Sequence, residues 1–222
     1  MLKNTQTEAK MIHERFGGTL WLGKQANEVD FLKRASEFQI LHLATHGFLD
    51  NLHTESSFIA FTATAEEANR GLLFASEIYA STIQAELLVL MVCQTAGGQL
   101  NRGEGLLSLT HAFLYSGVQS VVGTLWNIID ENVQLLVDNY YTNLLTHQYS
   151  KSKALQQAKL TYLSEVNAPL AHPYYWAGFI AIGNDAPISQ LPSKNNHWLR
   201  YIGFIFLGCL VIRWYRNNTS SL

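Results

Sequence analysis

The 222-residue sequence predicts an α/β domain: a mostly parallel sheet flanked by helices on both faces. Three observations carry that prediction. Apolar runs of strand length alternate along the chain with longer segments of helical periodicity. Leu87 to Val92 (LLVLMV) is unbroken by any polar residue, as expected of a strand covered on both sides. Two reactive residues, His46 and Cys93, each close such a run and are followed by Gly or small polar residues: ILHLATH before Gly47, and LLVLMVC before QTAGG. Ligand sites in open α/β sheets lie beyond the carboxyl ends of the strands, where both residues fall.

The elements follow in order. Glu8 to Phe16 has Met11, Ile12 and Phe16 on one helical face, with Gly17-Gly18 as the stop. Thr19 to Leu22 reads as a strand. Asn27 caps a helix to about Ser36, with Val29, Phe31 and Leu32 as its apolar side. Phe38 to Thr45 and Ser57 to Thr62 are strands, and Leu72 to Tyr79 turns helical toward its end. After the strand at Leu87 to Val92, Gly103-Glu104-Gly105 precedes a helix over 106–116 that Gly117 terminates. Ser120 to Leu125 is the next strand. Asp130 caps a helix to about Leu145, Lys151 to Val166 is another, and Ala177 to Ile182 is the last strand.

Composition narrows the function. A chain 48% hydrophobic and 14% charged has the core for one domain plus an appendage. A net charge of −2 with no basic cluster argues against a nucleic-acid partner. Of the two cysteines, Cys93 and Cys209, one lies in the strand-rich middle, so no disulfide staples the core, which fits a reducing compartment. The first residues carry no apolar stretch of a secretory signal. Tyr201 to Ile212, in contrast, is entirely apolar, aromatic or Gly, extended by Trp198, Leu199 and Trp214 and bracketed by Arg200, Arg213 and Arg216. With snorkelling arginines and interfacial tryptophans, this run approaches the lower length limit of a bilayer span. The expected organisation is a domain over 1–184, a linker over 185–196 and a membrane-anchor helix over 197–216. The alternative for the last segment is a buried terminal helix. Positive charge on both sides leaves the orientation open; the expected placement is a single C-terminal span with the domain on the cytoplasmic side.

The chemistry centres on Cys93 and His46. A thiol of ordinary pKa about 8.5 is mostly protonated at neutral pH, and a histidine within hydrogen-bond reach can take its proton. His42 lies on the same strand and is expected to pack in the core or against a helix; His53, His111 and His147 read as ordinary surface or helix-face residues. No His or Cys pair has metal spacing, so neither zinc nor any other cofactor is called for. Gly97-Gly98 and Gly103-Glu104-Gly105 lack the Gly-Lys-Ser/Thr of a phosphate loop and instead suit a turn close to substrate. Glu104 and Asp130 are candidates to line a substrate cleft, or else cap helices. Trp126, just past a central strand, is a candidate pocket floor, whereas Trp176 belongs in the core.

Five strings in order resemble one family: LHLATHG at 41–47, LVLMVCQT at 88–95, GEGL at 103–106, SVVGTLW at 120–126 and HPYYWAGF at 172–179. The chain resembles the CHAT domain, a bacterial branch of the caspase-like cysteine peptidases that also includes separase, and the likeness runs from about Thr7 to Gly183. The 47-residue gap between His46 and Cys93 is close to the roughly 50 residues of caspase-type peptidases. The resemblance implies a three-layer caspase-like fold and a Cys-His dyad, Cys93 as nucleophile and His46 as base. It also implies an oxyanion hole from the backbone N–H groups of Gly47 and Cys93. The implied partners are a protein or peptide substrate and a sensor, activator or dimer partner, in a stress or defence role. Asp130 and Glu131 would favour a basic residue before the scissile bond if they face the pocket. Gln94 stands where the family usually has Glu, and Met91 and Val92 replace small residues. The family usually carries further sheet and helix, and often helical repeats, before the segment that starts near Thr7, so an N-terminally shortened domain is expected. The rival expectation is a catalytically idle interaction or assembly module, or a fragment of a longer protein.

Overall fold

A computed structural model describes residues 3–50, 54–63, 71–94, 104–126, 128 and 133–189. The side chains of 3–5, 54, 93–94 and 104–106 are outside that description, as are Asp130, Glu131, His53 and the whole of 197–216. The chain divides into two compact units, residues 1–188 and 189–222, and the sheet and its helices belong to the first.

Six strands form one sheet in the order β3-β2-β1-β4-β5-β6. They are β1 (Ile40–Phe48), β2 (Phe58–Ala60), β3 (Leu72–Phe74), β4 (Leu87–Gln94), β5 (Ser120–Thr124) and β6 (Phe179–Gly183). Among the described residues six α-helices accompany them: α1 (Lys3–Phe16), α2 (Glu28–Arg34), α3 (Ala75–Ala80), α4 (Glu104–Ser116), α5 (Val133–Tyr141) and α6 (Lys151–Glu165). The strand period sorts the core. Leu41, Leu88, Leu90 and Val92 pack on one face with residues of α3 and α4 and with Phe31 and Leu32 of α2. Leu87, Val89 and Val122 pack on the other with α5, α6 and Ile12 and Phe16 of α1. β4 sits mid-sheet with Leu87 to Leu90 essentially inaccessible, which accounts for its unbroken apolar run.

The sheet is mixed, not mostly parallel. β1 with β4 and β4 with β5 are parallel, but β1 with β2, β2 with β3 and β5 with β6 are antiparallel. The cause is connectivity. One crossover helix returns the chain to run parallel, whereas two successive helices, α5 and α6, reverse it once more, so β6 descends beside β5. On the other flank, β1, β2 and β3 follow one another with no crossover α-helix among the described residues.

Local signals mostly hold. The Asn27 side chain accepts from Asp30 N–H at 2.8 Å, capping α2. Gly117, at φ 115°, ends α4 with its N–H on Leu114 O, and a Cβ there would lie 3.0 Å from Ile83 O. The helix predicted to about Leu145 widens out of α-geometry into a π-turn over Thr142–Thr146. Thr19 to Leu22 joins no ladder: Leu22 is extended, but Trp21 packs edge-on against Phe38 at 5.4 Å and takes the Arg34 guanidinium over its ring, so tertiary packing replaces strand pairing.

Candidate active site

The site starts from register. β1 and β4 run parallel from Ile40 opposite Leu87 to Gly47 opposite Gln94, which puts His46 directly beside Cys93. Neighbouring strands lie about 4.8 Å apart and residues at one level of a parallel pair share a face. Positions 46 and 93 therefore stand side by side at the carboxyl ends of their strands. The face is that of Val89 and Met91, toward α1, α5 and α6. β5 stops at Thr124, one step past the Gly123–Leu90 pair, so Cys93 projects two residues beyond the level at which β5 ends. The strand ends thus form a step with residue 93 at its upper edge.

His46 is only partly accessible, and its Nδ1 is buried with no hydrogen-bond partner among the described residues. An orphan buried ring nitrogen is uncommon in a folded protein and calls for a specific explanation. His42, on the same strand and face, has a polar group at each ring nitrogen. Its Nδ1 is 2.9 Å from the Tyr141 hydroxyl, and its Nε2 lies 3.3 Å from Glu8 Oε1, within ion-pair reach although not aligned as a hydrogen bond. A carboxylate beside Nε2 favours the proton there, so Nδ1 accepts from the phenol. Burial, reinforced by Tyr140 and Glu8, pushes the Tyr141 phenol well above its ordinary range and keeps it a donor. An ion pair from Arg15 to Asp138 ties α1 to α5 on the same side.

Gly47 has a packing reason to be glycine. A Cβ there would meet Val92 Cγ1 at 2.4 Å and Phe58 O at 2.8 Å. It is laddered to Gln94 on β4 and to Ile59 on β2. Trp126 stands two residues past β5, half-buried, with its indole N–H donating to Tyr174 O at 2.8 Å and its ring stacked on Tyr174. Gly178 lies under that ring, where a Cβ would come within 2.8 Å of Cε2. Glu104 is the first residue of α4, and its side chain, like the Cys93 sulfur, is outside the described atoms; Asp130 lies outside the described residues altogether.

The structure thus brings together residues 46 and 93 and puts Trp126 past the next strand end. The sequence reading missed the Glu8–His42–Tyr141 cluster behind them. A signal existed: Glu8 falls on the same helical stripe as Ile12 and Phe16, and a carboxylate on an apolar stripe needs a buried partner.

The CHAT domain family model matches residues 1–184. The chain belongs to the CHAT domain family. Among curated proteins it is similar to tetratricopeptide repeat protein 28 of mouse (Mus musculus), 30% identical over 119 residues that cover 54% of this chain and 5% of that protein. The human (Homo sapiens) protein of the same name is 27% identical over the same length, with the same coverage. The similar segment is a small part of those long proteins. No helix among the described residues is long and apolar enough to cross a membrane, and the segment expected to do so, 197–216, lies outside them.

Proposed function

We propose that this CHAT domain is a cysteine endopeptidase acting on a protein partner, with Cys93 as nucleophile and His46 as its base. The observation that supports the reading is the direct pairing of 46 with 93 at a strand-end step, together with a His46 Nδ1 that has no partner among the described residues. In the proposed reaction His46 takes the Cys93 proton as sulfur attacks the scissile carbonyl. The tetrahedral intermediate collapses with cleavage of the C–N bond, and the imidazolium protonates the leaving amine. Water, deprotonated by His46, then hydrolyses the thioester and the thiol is restored. The oxyanion would be received by the amides of Gly47 and Cys93, each such donor contributing about 3 kcal/mol. Gly47 is already engaged in the ladder, so donation there calls for an exchange of partner. Trp126 would floor the cleft, with Glu104 and Asp130 along its sides.

The test is labelling of the full chain with a peptidyl electrophile. Cys93→Ala should abolish it, and His46→Gln should slow it at least ~10²-fold, the scale of general-base catalysis. Equal rates for wild type and His46→Gln would remove the dyad and leave the second reading, a catalytically idle assembly module. That reading is favoured by Gln94 and by the small share that the similar segment takes of the long repeat-named relatives.

The finer architecture belongs with this proposal: a three-layer caspase-like domain over 1–184, a linker over 185–196 and a single membrane span over 197–216, with the domain on the cytoplasmic side. A sensor or activator protein, or a dimer partner, would gate it in a stress or defence role. Alkaline-carbonate extraction that releases the full chain from membranes would exclude the span.

A further inference from the structure

β1, β2 and β3 carry a row of three aromatic rings that belongs to neither core cluster. Phe48 is opposite Phe58, and Phe58 is opposite Phe74, so register puts all three on one face of the sheet. The Phe48 and Phe58 rings stack with centroids 5.7 Å apart, and Phe58 meets Phe74 edge-on at 5.4 Å. The reverse face at the same place is sealed, with Ile59 and Leu73 wholly buried in the core. The row is not: Phe48 on β1 and Leu72, two residues before Phe74 on the same face of β3, are each 37% exposed, and Phe58 and Phe74 are half-buried.

The row begins two residues after His46 on the same strand, hence on the same face. From Cys93 to β3 is three strand spacings, about 14 Å, or roughly four residues of extended chain. None of the three strands carries an Asp, Glu, Lys or Arg. A second copy of the chain is a poor fit: four part-exposed side chains of this size offer about 300 Å², against ~800 Å² per partner in a standard interface.

We propose that the row is a specificity surface for the substrate polypeptide, taking apolar or aromatic side chains of an extended segment within about four residues of the scissile bond. This rests on the peptidase reading of His46 and Cys93, and the experiment separates the two. Binding is measured by anisotropy on full-length Cys93→Ala protein, which does no chemistry. The probes are fluorescein-tagged Gly-Ser nonapeptides, one with Phe at alternate positions and one without. The Phe peptide should bind more tightly, and Phe48→Ala and Leu72→Ser should each weaken it, up to roughly tenfold for the ring. Phe58→Ala should do the same where its melting temperature shows that it folds; the two more exposed positions carry the test where it does not. Equal affinity for both peptides, or affinity indifferent to Phe48→Ala and Leu72→Ser, overturns the proposal. A concentration-dependent dimer dissolved by Phe48→Ala also overturns it, giving the row to a second copy. If the Phe peptide binds as stated but wild-type labelling is indifferent to His46→Gln, the surface stands and the dyad falls.

Discussion

His42 and His46 stand on one strand and one face, four residues apart, and the protein treats them oppositely. Around His42 the polar groups close on one another: a phenol on one ring nitrogen, a carboxylate near the other, and helices α1 and α5 behind them. Around His46 the strands run out, β5 having stopped at Thr124, and Nδ1 has no partner among the described residues. The difference is one of position along the strand, not of residue type. A histidine in the middle of a covered sheet has polar groups brought to both ring nitrogens by the layer that covers it, one in a hydrogen bond and one within ion-pair reach. One at the carboxyl edge lies beyond the level at which β5 stops. Face and residue type therefore do not pick out a base; a place at a strand end, with neither hydrogen bond nor ion pair for the ring nitrogen among the described residues, does.

The sharpest break of this comparison is in reactivity. In the labelling assay, His46→Gln should cost at least ~10²-fold, while His42→Gln, which lowers stability by leaving Glu8 and Tyr141 without their buried neighbour, should change the rate of the folded protein by no more than about threefold. If His42→Gln were the slower variant, the functional histidine would be the enclosed one and the edge argument would fail.

A smaller effect separates the rim's packing from its chemistry. Gly47→Ala forces a Cβ against Val92 and against the carbonyl of Phe58, and backbone cannot give as a flexible side chain can. A loss of about 1–3 kcal/mol in urea unfolding is expected, the usual cost of overpacking. An unchanged midpoint would mean that β1 and β2 are further apart at this level than the ladder implies, and the aromatic row would lose its first rung.

Parts of this arrangement are visible in the sequence and parts are not, for physical reasons. β4 announces itself because a strand buried on both faces has no polar position to interrupt it, and Gly117 because a helix end in a left-handed conformation favours glycine. Placing His46 and Cys93 at strand ends needs only those runs. Strand direction is different: both helices before β6 are legible, but nothing in β6 (FIAIG) records which way the chain enters it, so the parallel expectation fails there. Thr19 to Leu22 has strand-like residues but no strand to pair with. The phenylalanine row depends on register between three short separate segments, and Phe58 and Phe74 carry no mark of facing Phe48.

The smallest and cleanest contrast lies behind His42, in two adjacent tyrosines. Tyr140 and Tyr141 are both buried, but the Tyr141 hydroxyl bonds His42 whereas the Tyr140 hydroxyl has no partner among the described residues. Tyr141→Phe should cost about 1–2 kcal/mol, because it strips a donor from a buried ring nitrogen. Tyr140→Phe removes a hydroxyl that gains nothing from the fold, and should fall within about 0.5 kcal/mol of wild type or stabilise slightly. Alkaline pH adds a second reading. Both phenols are raised chiefly by burial, Tyr140 with a contribution from Asp185 and Tyr141 with contributions from Tyr140 and Glu8. A raised folded-state value means that the native protein holds its proton where the unfolded chain has lost it. The associated stability is therefore complete below the ordinary phenol value of about 10 and drains away as pH climbs above it. Unfolding free energies between pH 8 and pH 11 should fall for wild type, and each Tyr→Phe change should flatten that fall, since each removes one raised phenol. At neutral pH only Tyr141→Phe should register a clear loss. Equal neutral-pH losses for the two variants would mean that the His42 contact adds nothing beyond burial, and that the enclosed histidine is no better satisfied than the one at the edge.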